Sequence, residues 1–254
     1  MTAAPAIATE NLSRRFGALM AVDGVSLEFA AGRIHAVIGP NGAGKTTLLN
    51  LLSGNLRPTA GSVRLRGREI AGAPVHAIAR LGLGRSYQRT NVFPEFTCFE
   101  NCWLGAQTRL PSSMRFFKPA SRYEEVRAEA DRALALCRLS HRRDAAAEAL
   151  SHGERRQLEL GMMLATAPSV LLLDEPLAGM GAAEASLMLA LIKGLARDHT
   201  IVLVEHDMDA VFATADIITV MVGGRALETG TPAAIQASPA VREAYLGAAA
   251  EVRP

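Results

Sequence analysis

The chain has 254 residues, a formal net charge of +2 and a hydrophobic content of 49%, which allows one large α/β domain or two small ones with a substantial core. That near-neutral balance, with Lys45, Lys118 and Lys193 as the only lysines, argues against electrostatic binding to nucleic acid, which needs a strong basic excess. No apolar run approaches bilayer length and Met1 to Pro5 lack the start of a secretory signal, so a cytosolic chain is expected; Cys98, Cys102 and Cys137, too few and wrongly spaced for zinc, are expected to be free thiols.

From about Ile7 the sequence reads as antiparallel strands. Ile34 to Ile38 is a short apolar run expected as a buried strand. It leads into Gly39-Pro40-Asn41-Gly42-Ala43-Gly44-Lys45-Thr46-Thr47, which fits the phosphate-binding pattern G-x-x-x-x-G-K-[ST] at every fixed position. Thr46 to Leu52 is helix-like, with Gly54 as its expected C-cap. Glycines in the loop let backbone N–H groups curl around an anion, and the helix N-terminus adds partial positive charge. Lys45 can reach the β- and γ-phosphates, and the Thr46 hydroxyl can ligand Mg²⁺. Strand, loop and helix in this order predict a site for a nucleoside triphosphate, with Asn41, Gly42, Ala43 and Thr47 in the same cradle.

Val63 to Leu65 reads as a further strand, and from Gln88 to Ala165 the pattern turns helical. Between Arg122 and Leu139, the apolar positions Val126, Ala130, Ala133, Leu134 and Cys137 fall at helical spacing. Leu110 to Pro119 reads as a loop bounded by prolines, whose Phe116 and Phe117 either touch a partner or lipid headgroups, or pin the loop to its own domain. Ser151 and Glu154 fit an S-x-x-E capping box opening a helix-patterned stretch to Leu164.

At Val170-Leu171-Leu172-Leu173-Asp174-Glu175-Pro176 four aliphatic residues run into two carboxylates. A continuous apolar run suits a parallel strand buried on both faces, which puts Asp174 and Glu175 at its carboxyl end, where open α/β sheets bind ligands. Asp174 is expected to hold Mg²⁺ through its water shell, and Glu175 to accept a proton from, or orient, the attacking water. From Val170 to Val222 strands alternate with helices, the mark of parallel βαβ units, and there is no internal repeat.

At Leu150-Ser151-His152-Gly153-Glu154 the chain resembles the ABC ATPases, whose signature loop commonly reads Leu-Ser-Gly-Gly-Gln. Leu150, Ser151 and Gly153 match, while His152 and Glu154 depart. The resemblance implies that Ser151 and the Gly153 N–H touch the γ-phosphate of a nucleotide held by another subunit, with Glu154 beside them. It further implies that Gln88 senses Mg²⁺ and the attacking water, that His206 contacts the γ-phosphate, and that Phe16 stacks on adenine. Leu177 to Gly181 lacks the aspartate that many relatives carry after the paired carboxylates, so contact across a dimer there must use other groups.

The fold so implied is α/β: a P-loop NTPase core of the RecA-like kind with N-terminal antiparallel strands and an inserted helical subdomain. One nucleotide-binding domain is expected, with its core at about 1–87 and 166–230, helices at about 88–165 and a helical tail at 231–254. The activity implied is ATP hydrolysis with Mg²⁺. Asn91-Val92-Phe93-Pro94, Leu177-Ala178-Gly179-Met180, Glu205-His206-Asp207-Met208 and Ala244-Tyr245-Leu246-Gly247 look like the ATP-binding subunits of branched-chain amino acid uptake systems. Urea and amide importers share much of this pattern, and lipopolysaccharide-export ATPases some. The partners implied are multi-spanning permeases, a second ATPase subunit and, indirectly, a solute-binding protein, with the chain peripheral on the cytoplasmic face of the inner membrane. A soluble ABC ATPase of DNA repair would need long arms between Lys45 and Asp174, and a ribosomal one two cassettes; this chain has neither.

Overall fold

The computed structural model describes residues 4–87, 91–110 and 123–250, with side chains as far as Tyr245. A long antiparallel hairpin comes first, β1 (Ile7–Phe16) and β2 (Leu19–Phe29). Next come β3 (Ile34–Ile38), α1 (Lys45–Leu52), β4 (Ala60–Leu65), β5 (Arg68–Glu69), α2 (Val75–Arg80) and β6 (Leu83–Arg85). Helices α3 (Cys98–Gln107), α4 (Glu124–Leu136) and α5 (His152–Leu164) follow. The chain ends through β7 (Val170–Asp174), α6 (Ala182–Leu195), β8 (Thr200–Val204), α7 (Met208–Thr214), β9 (Ile217–Val222), β10 (Arg225–Gly230), α8 (Pro232–Ala237) and α9 (Pro239–Ala250).

Two sheets carry these strands. One is antiparallel in the order β2-β1-β4-β5; the other runs β10-β9-β3-β8-β7-β6 and is parallel except for β10. Every residue of β3, β7 and β8 is buried. Successive side chains of a strand point to opposite faces, and here both faces meet a core. Ile34, Ala36 and Ile38 join Leu171, Leu173, Ile201 and Leu203 in one apolar cluster with α3 to α7. Val37, Leu172, Val202 and Val204 join a second cluster with α1 and the antiparallel sheet. Two-sided burial explains why these strands are continuous apolar runs rather than alternating ones.

The helical stretch packs closely because its contacts use small residues. A Cβ on Gly105 would fall 2.3 Å from the Met162 carbonyl oxygen, so α3 sits against α5 backbone to backbone. A Cβ on Gly161 would meet the Cys102 and Cys137 sulfurs at 3.2 and 3.3 Å. The three cysteines are buried free thiols, and burial pushes the Cys102 thiol up to about 12. Of the segments read from the pattern, the helix expected over Arg122–Leu139 is α4, with Val126, Ala130, Ala133 and Leu134 buried. Gly54 does follow α1 with φ of 76°, one position beyond the cap residue Ser53. Most of the 110–119 loop, including Phe116 and Phe117, lies outside the described residues, as does 251–254.

Candidate functional site

Parallel pairing sets Val37 of β3 opposite Val204 of β8, and Val204 opposite Asp174 of β7. Three loops therefore leave the same edge of the sheet side by side: Gly39 to Gly44 after β3, Glu175 after β7, and Glu205 and His206 after β8. Crevices at the carboxyl ends of such strands are where open α/β sheets hold ligands. A cleft of about 580 Å³ opens there, lined by Asn41 to Thr47, Glu175, His206, Phe16 and Leu19.

The loop's glycines are fixed by backbone crowding as well as by any ligand. Gly39 has φ of 151°, and a Cβ there would lie 2.1 Å from the Met221 carbonyl oxygen of β9; Gly44, φ 96°, would strike the Ala21 carbonyl oxygen of β2 at 2.3 Å. No side chain caps the N-terminus of α1. Its first N–H groups, with the helix's partial positive charge, thus face the cleft ready for an anion. Lys45 is buried and folds back, donating to the carbonyl oxygens of Gly39 at 2.7 Å and Pro40 at 3.0 Å. Burial lowers its pKa, and the carboxylates of Glu175 and Asp174 oppose that shift. Thr46 stands exposed at the helix start.

Across the cleft, Glu175 adopts φ of 51°, left-handed backbone that costs a non-glycine residue on the order of 1–2 kcal/mol. Its N–H donates to the Val204 carbonyl oxygen at 2.9 Å, and its carboxylate Oε1 lies 2.6 Å from His206 Nε2. Asp174 is 1% exposed, and burial raises its carboxyl above the ordinary range against the pull of Arg85. Arg85 sits 3.5 Å from Asp174 Oδ2 and donates to Ser53 Oγ at 2.6 Å. The other carboxylate oxygen, Oδ1, is buried with no hydrogen-bond partner. An orphaned carboxylate oxygen within the field of the Lys45 charge fits a divalent cation held through water, the hard oxygen ligand that Mg²⁺ takes.

Phe16 is 41% exposed on the cleft wall, with the Arg14 guanidinium 4.6 Å over its ring. Gln88 lies outside the described residues. Its neighbour Tyr87 is tied to α5, where the Arg156 guanidinium donates to the Tyr87 carbonyl oxygen at 2.8 Å.

The Ser151 segment stands apart from this cleft. Ser151 is the N-cap of α5: its Oγ accepts the Glu154 N–H and the Glu154 carboxylate accepts the Ser151 N–H, a closed capping box. Glu154 also takes a 2.9 Å bond from Arg142, so its carboxylate is spent on the helix start. The Ser151 hydroxyl and the Gly153 N–H meet one oxygen of Glu184, at 3.2 and 3.3 Å. Ser151, Gly153, Met180, Glu184 and Leu187 line a second cavity of about 360 Å³, which shares no lining residue with the first. Arg85 and Glu184 are not singled out by the sequence pattern, and Glu205 enters only within Glu205-His206-Asp207-Met208, with no role of its own; the signal available was a charged residue closing an apolar run, at Arg85 after Leu83 and at Glu205 after Val204.

The ABC transporter family model matches residues 22–178, and the model of the branched-chain amino acid ATP-binding cassette transporters matches 227–251. The chain is 40% identical over 252 residues to the high-affinity branched-chain amino acid transport ATP-binding protein BraF of Pseudomonas aeruginosa, spanning 96% of this chain and 99% of the relative. To LivG of Escherichia coli K12, named for the same transport role, it is 38% identical over 253 residues, with the same coverage. The crystal structure of the ADP conformation of MJ1267, an ATP-binding cassette of an ABC transporter, superposes with a TM-score of 0.85 at 30% identity, covering 95% of this chain and 98% of that one.

The buried Arg85–Asp174 pair gives a direct test of the site's electrostatics. Arg85→Met leaves the Asp174 charge buried without its cation and is expected to cost about 3–5 kcal/mol. In the Arg85→Met, Asp174→Asn double variant the cost should fall well below the sum of the single changes, measured by urea unfolding; simple additivity would contradict the pairing.

Proposed function

We propose that this chain, which belongs to the ABC transporter family of ATP-binding cassettes, is the ATP-hydrolysing, energy-coupling subunit of a branched-chain amino acid importer. The observation that carries the reading is the one cleft that the loop residues Asn41 to Thr47, with Lys45 among them, line together with Glu175 and His206. The names of BraF and LivG, and the C-terminal match over 227–251, supply the transported class.

In this reading the phosphates of ATP lie on the N–H groups of the loop and of α1. Lys45 leaves the Gly39 and Pro40 carbonyl oxygens to reach the β- and γ-phosphates. Phe16 stacks on adenine at the open end. Thr46 and Asp174 would hold Mg²⁺, which would supply charge neutralisation for the phosphates. Glu175 takes the proton of the attacking water, and His206, already in contact with its carboxylate, orients it toward the γ-phosphate. Gln88 belongs to the same group by resemblance.

The separation of the two cavities supports a two-subunit arrangement. One chain carries a phosphate-gripping cleft and, elsewhere, the Ser151–Gly153 donors, so neither alone encloses an ATP. In a head-to-tail pair each nucleotide lies between the cleft of one subunit and the Ser151 face of the other. Glu184 supports this chemistry, since its carboxylate occupies the two donors as a γ-phosphate oxygen would. Closure excludes water and completes the site.

Membrane attachment in this account goes through permease subunits, with the chain peripheral on the cytoplasmic side; among the described residues no helix is long and apolar enough to cross a bilayer. Of Val92, Phe93, Phe96 and Phe99, which follow Gln88 in the sequence, Val92 and Phe99 pack on the chain's own core, while Phe93 and Phe96 stack at 5.4 Å and stand 49% and 40% exposed. Asn101 holds that turn outward, accepting the Phe93 N–H and donating to the carbonyl oxygens of Phe93, Phe96 and Thr97. These two rings are the proposed seat of a permease helix.

Glu175→Gln should bind ATP like the parent chain, abolish its turnover and stop leucine uptake in cells that depend on this subunit. Wild-type ATPase rates in that variant would remove Glu175 from its role; loss of urea uptake with leucine uptake intact would overturn the cargo.

Ser151→Arg should suppress hydrolysis while the isolated chain keeps its ATP affinity, because the nucleotide it blocks belongs to the neighbour. Mixing it with Lys45→Ala chains should restore part of the activity through dimers that retain one intact site. A loss of ATP affinity in Ser151→Arg alone would instead make the segment local to its own cleft.

A further inference from the structure

Glu205 directly follows β8, immediately before His206, and it is only 5% exposed. A carboxylate at that depth costs free energy unless its oxygens are hydrogen-bonded. Both are. Oε1 accepts the N–H of Leu177 at 2.8 Å, and Oε2 accepts the N–H of His206 at 3.1 Å. Burial raises its carboxyl above the ordinary range, and the nearby Glu175 adds to the rise, while the two N–H bonds and His206 oppose it.

The two donors belong to different loops. Leu177 stands two residues past Glu175, in the turn closed by the Ala178 N–H on the Glu175 carbonyl oxygen at 3.1 Å. His206 carries the ring that meets the Glu175 carboxylate at 2.6 Å. One side chain thus ties the turn that fixes Glu175 to the backbone that fixes His206. The left-handed φ of Glu175 is a conformation that persists only where surrounding contacts over-determine it.

We propose that Glu205 is a positioning residue for ATP hydrolysis: its buried carboxylate clamps the Leu177 turn to the His206 backbone and so sets the separation of Glu175 from His206. The proposal rests on the reading of Glu175 and His206 as the reacting pair. The clamp needs two acceptor oxygens on one side chain. Glutamine has nearly the same shape but offers one acceptor and one donor, so its amide would face one of the two N–H groups with a donor. Through the same clamp, movement of the Leu177–Gly181 segment, whose Met180 lines the Ser151 cavity, is carried to His206.

The test compares wild type, Glu205→Gln and Glu205→Ala by ATPase kinetics, nucleotide binding and amide hydrogen exchange resolved to single residues. In wild type the Leu177 amide should exchange slowly although it lies in a turn, since Glu205 is its acceptor. In Glu205→Gln, kcat should fall roughly tenfold or more, towards the ~100-fold loss that a 1 Å misplacement causes. KM and ATP affinity should stay within about twofold, because the Lys45 loop is untouched, and protection should be lost at Leu177 or His206 while β3, β7 and β8 keep theirs. Three results overturn the proposal: fast exchange at Leu177 in wild type, a kcat within about twofold in both variants, or a fall in kcat matched by loss of ATP affinity and of protection across the sheet. The exchange readout also separates this proposal from its premise. Normal turnover by Glu175→Gln would remove the reacting pair yet leave the clamp measurable, whereas an unprotected Leu177 would remove the clamp alone.

Discussion

The parallel register of β3, β7 and β8, in which Val37, Val204 and Asp174 lie abreast, brings together loops that are far apart in sequence. Gly39, Glu175 and His206 emerge within one cleft only because the three strands end at the same level. That level is held from both sides, since each strand is covered by the helical cluster on one face and by α1 with the antiparallel sheet on the other. A slip of one residue would turn every side chain of a strand to the opposite cluster and move its terminal loop away from the others. The core and the site are therefore fixed by the same pairing.

Charge at that edge is concentrated and largely dry. Lys45, Asp174 and Glu205 are all at least nine-tenths buried, a placement that opposes folding unless hydrogen bonds or opposite charge offset it. Each has a different answer. Glu205 takes two backbone N–H groups, Asp174 takes Arg85 on one oxygen, and Lys45 takes two carbonyl oxygens of its own loop. Only Asp174 retains an unpartnered oxygen. In the proposed reading, phosphate replaces the lysine's two carbonyl partners and a cation sits at the free Asp174 oxygen, so the residual frustration of the edge is the part that a nucleotide with Mg²⁺ would relieve.

What the sequence made legible was local. The G-x-x-x-x-G-K-T run, the capping box at Ser151 and Glu154, and the aliphatic runs into Asp174 and His206 each fit within a dozen residues, and their order resembles one family. The contacts that join them were not legible, because they pair residues of separate elements far apart in the chain: Arg85 with Asp174, Glu205 with Leu177, and Glu184 with Ser151 and Gly153. Even the loop glycines carried a second meaning, since Gly39 and Gly44 make room for the Met221 and Ala21 carbonyl oxygens as well as for an anion. Val92, Phe93, Phe96 and Phe99 are alike in being apolar, and tertiary packing divides them into two that face inward and two that face outward.

The central claim is that ATP is gripped at this strand edge by Lys45. Calorimetric titration of Mg-ATP into the wild-type chain and into Lys45→Ala tests it most directly. The account predicts one nucleotide bound per wild-type chain and a large loss of affinity in the variant, with the fold unchanged by circular dichroism. Equal affinities in the two chains would contradict it.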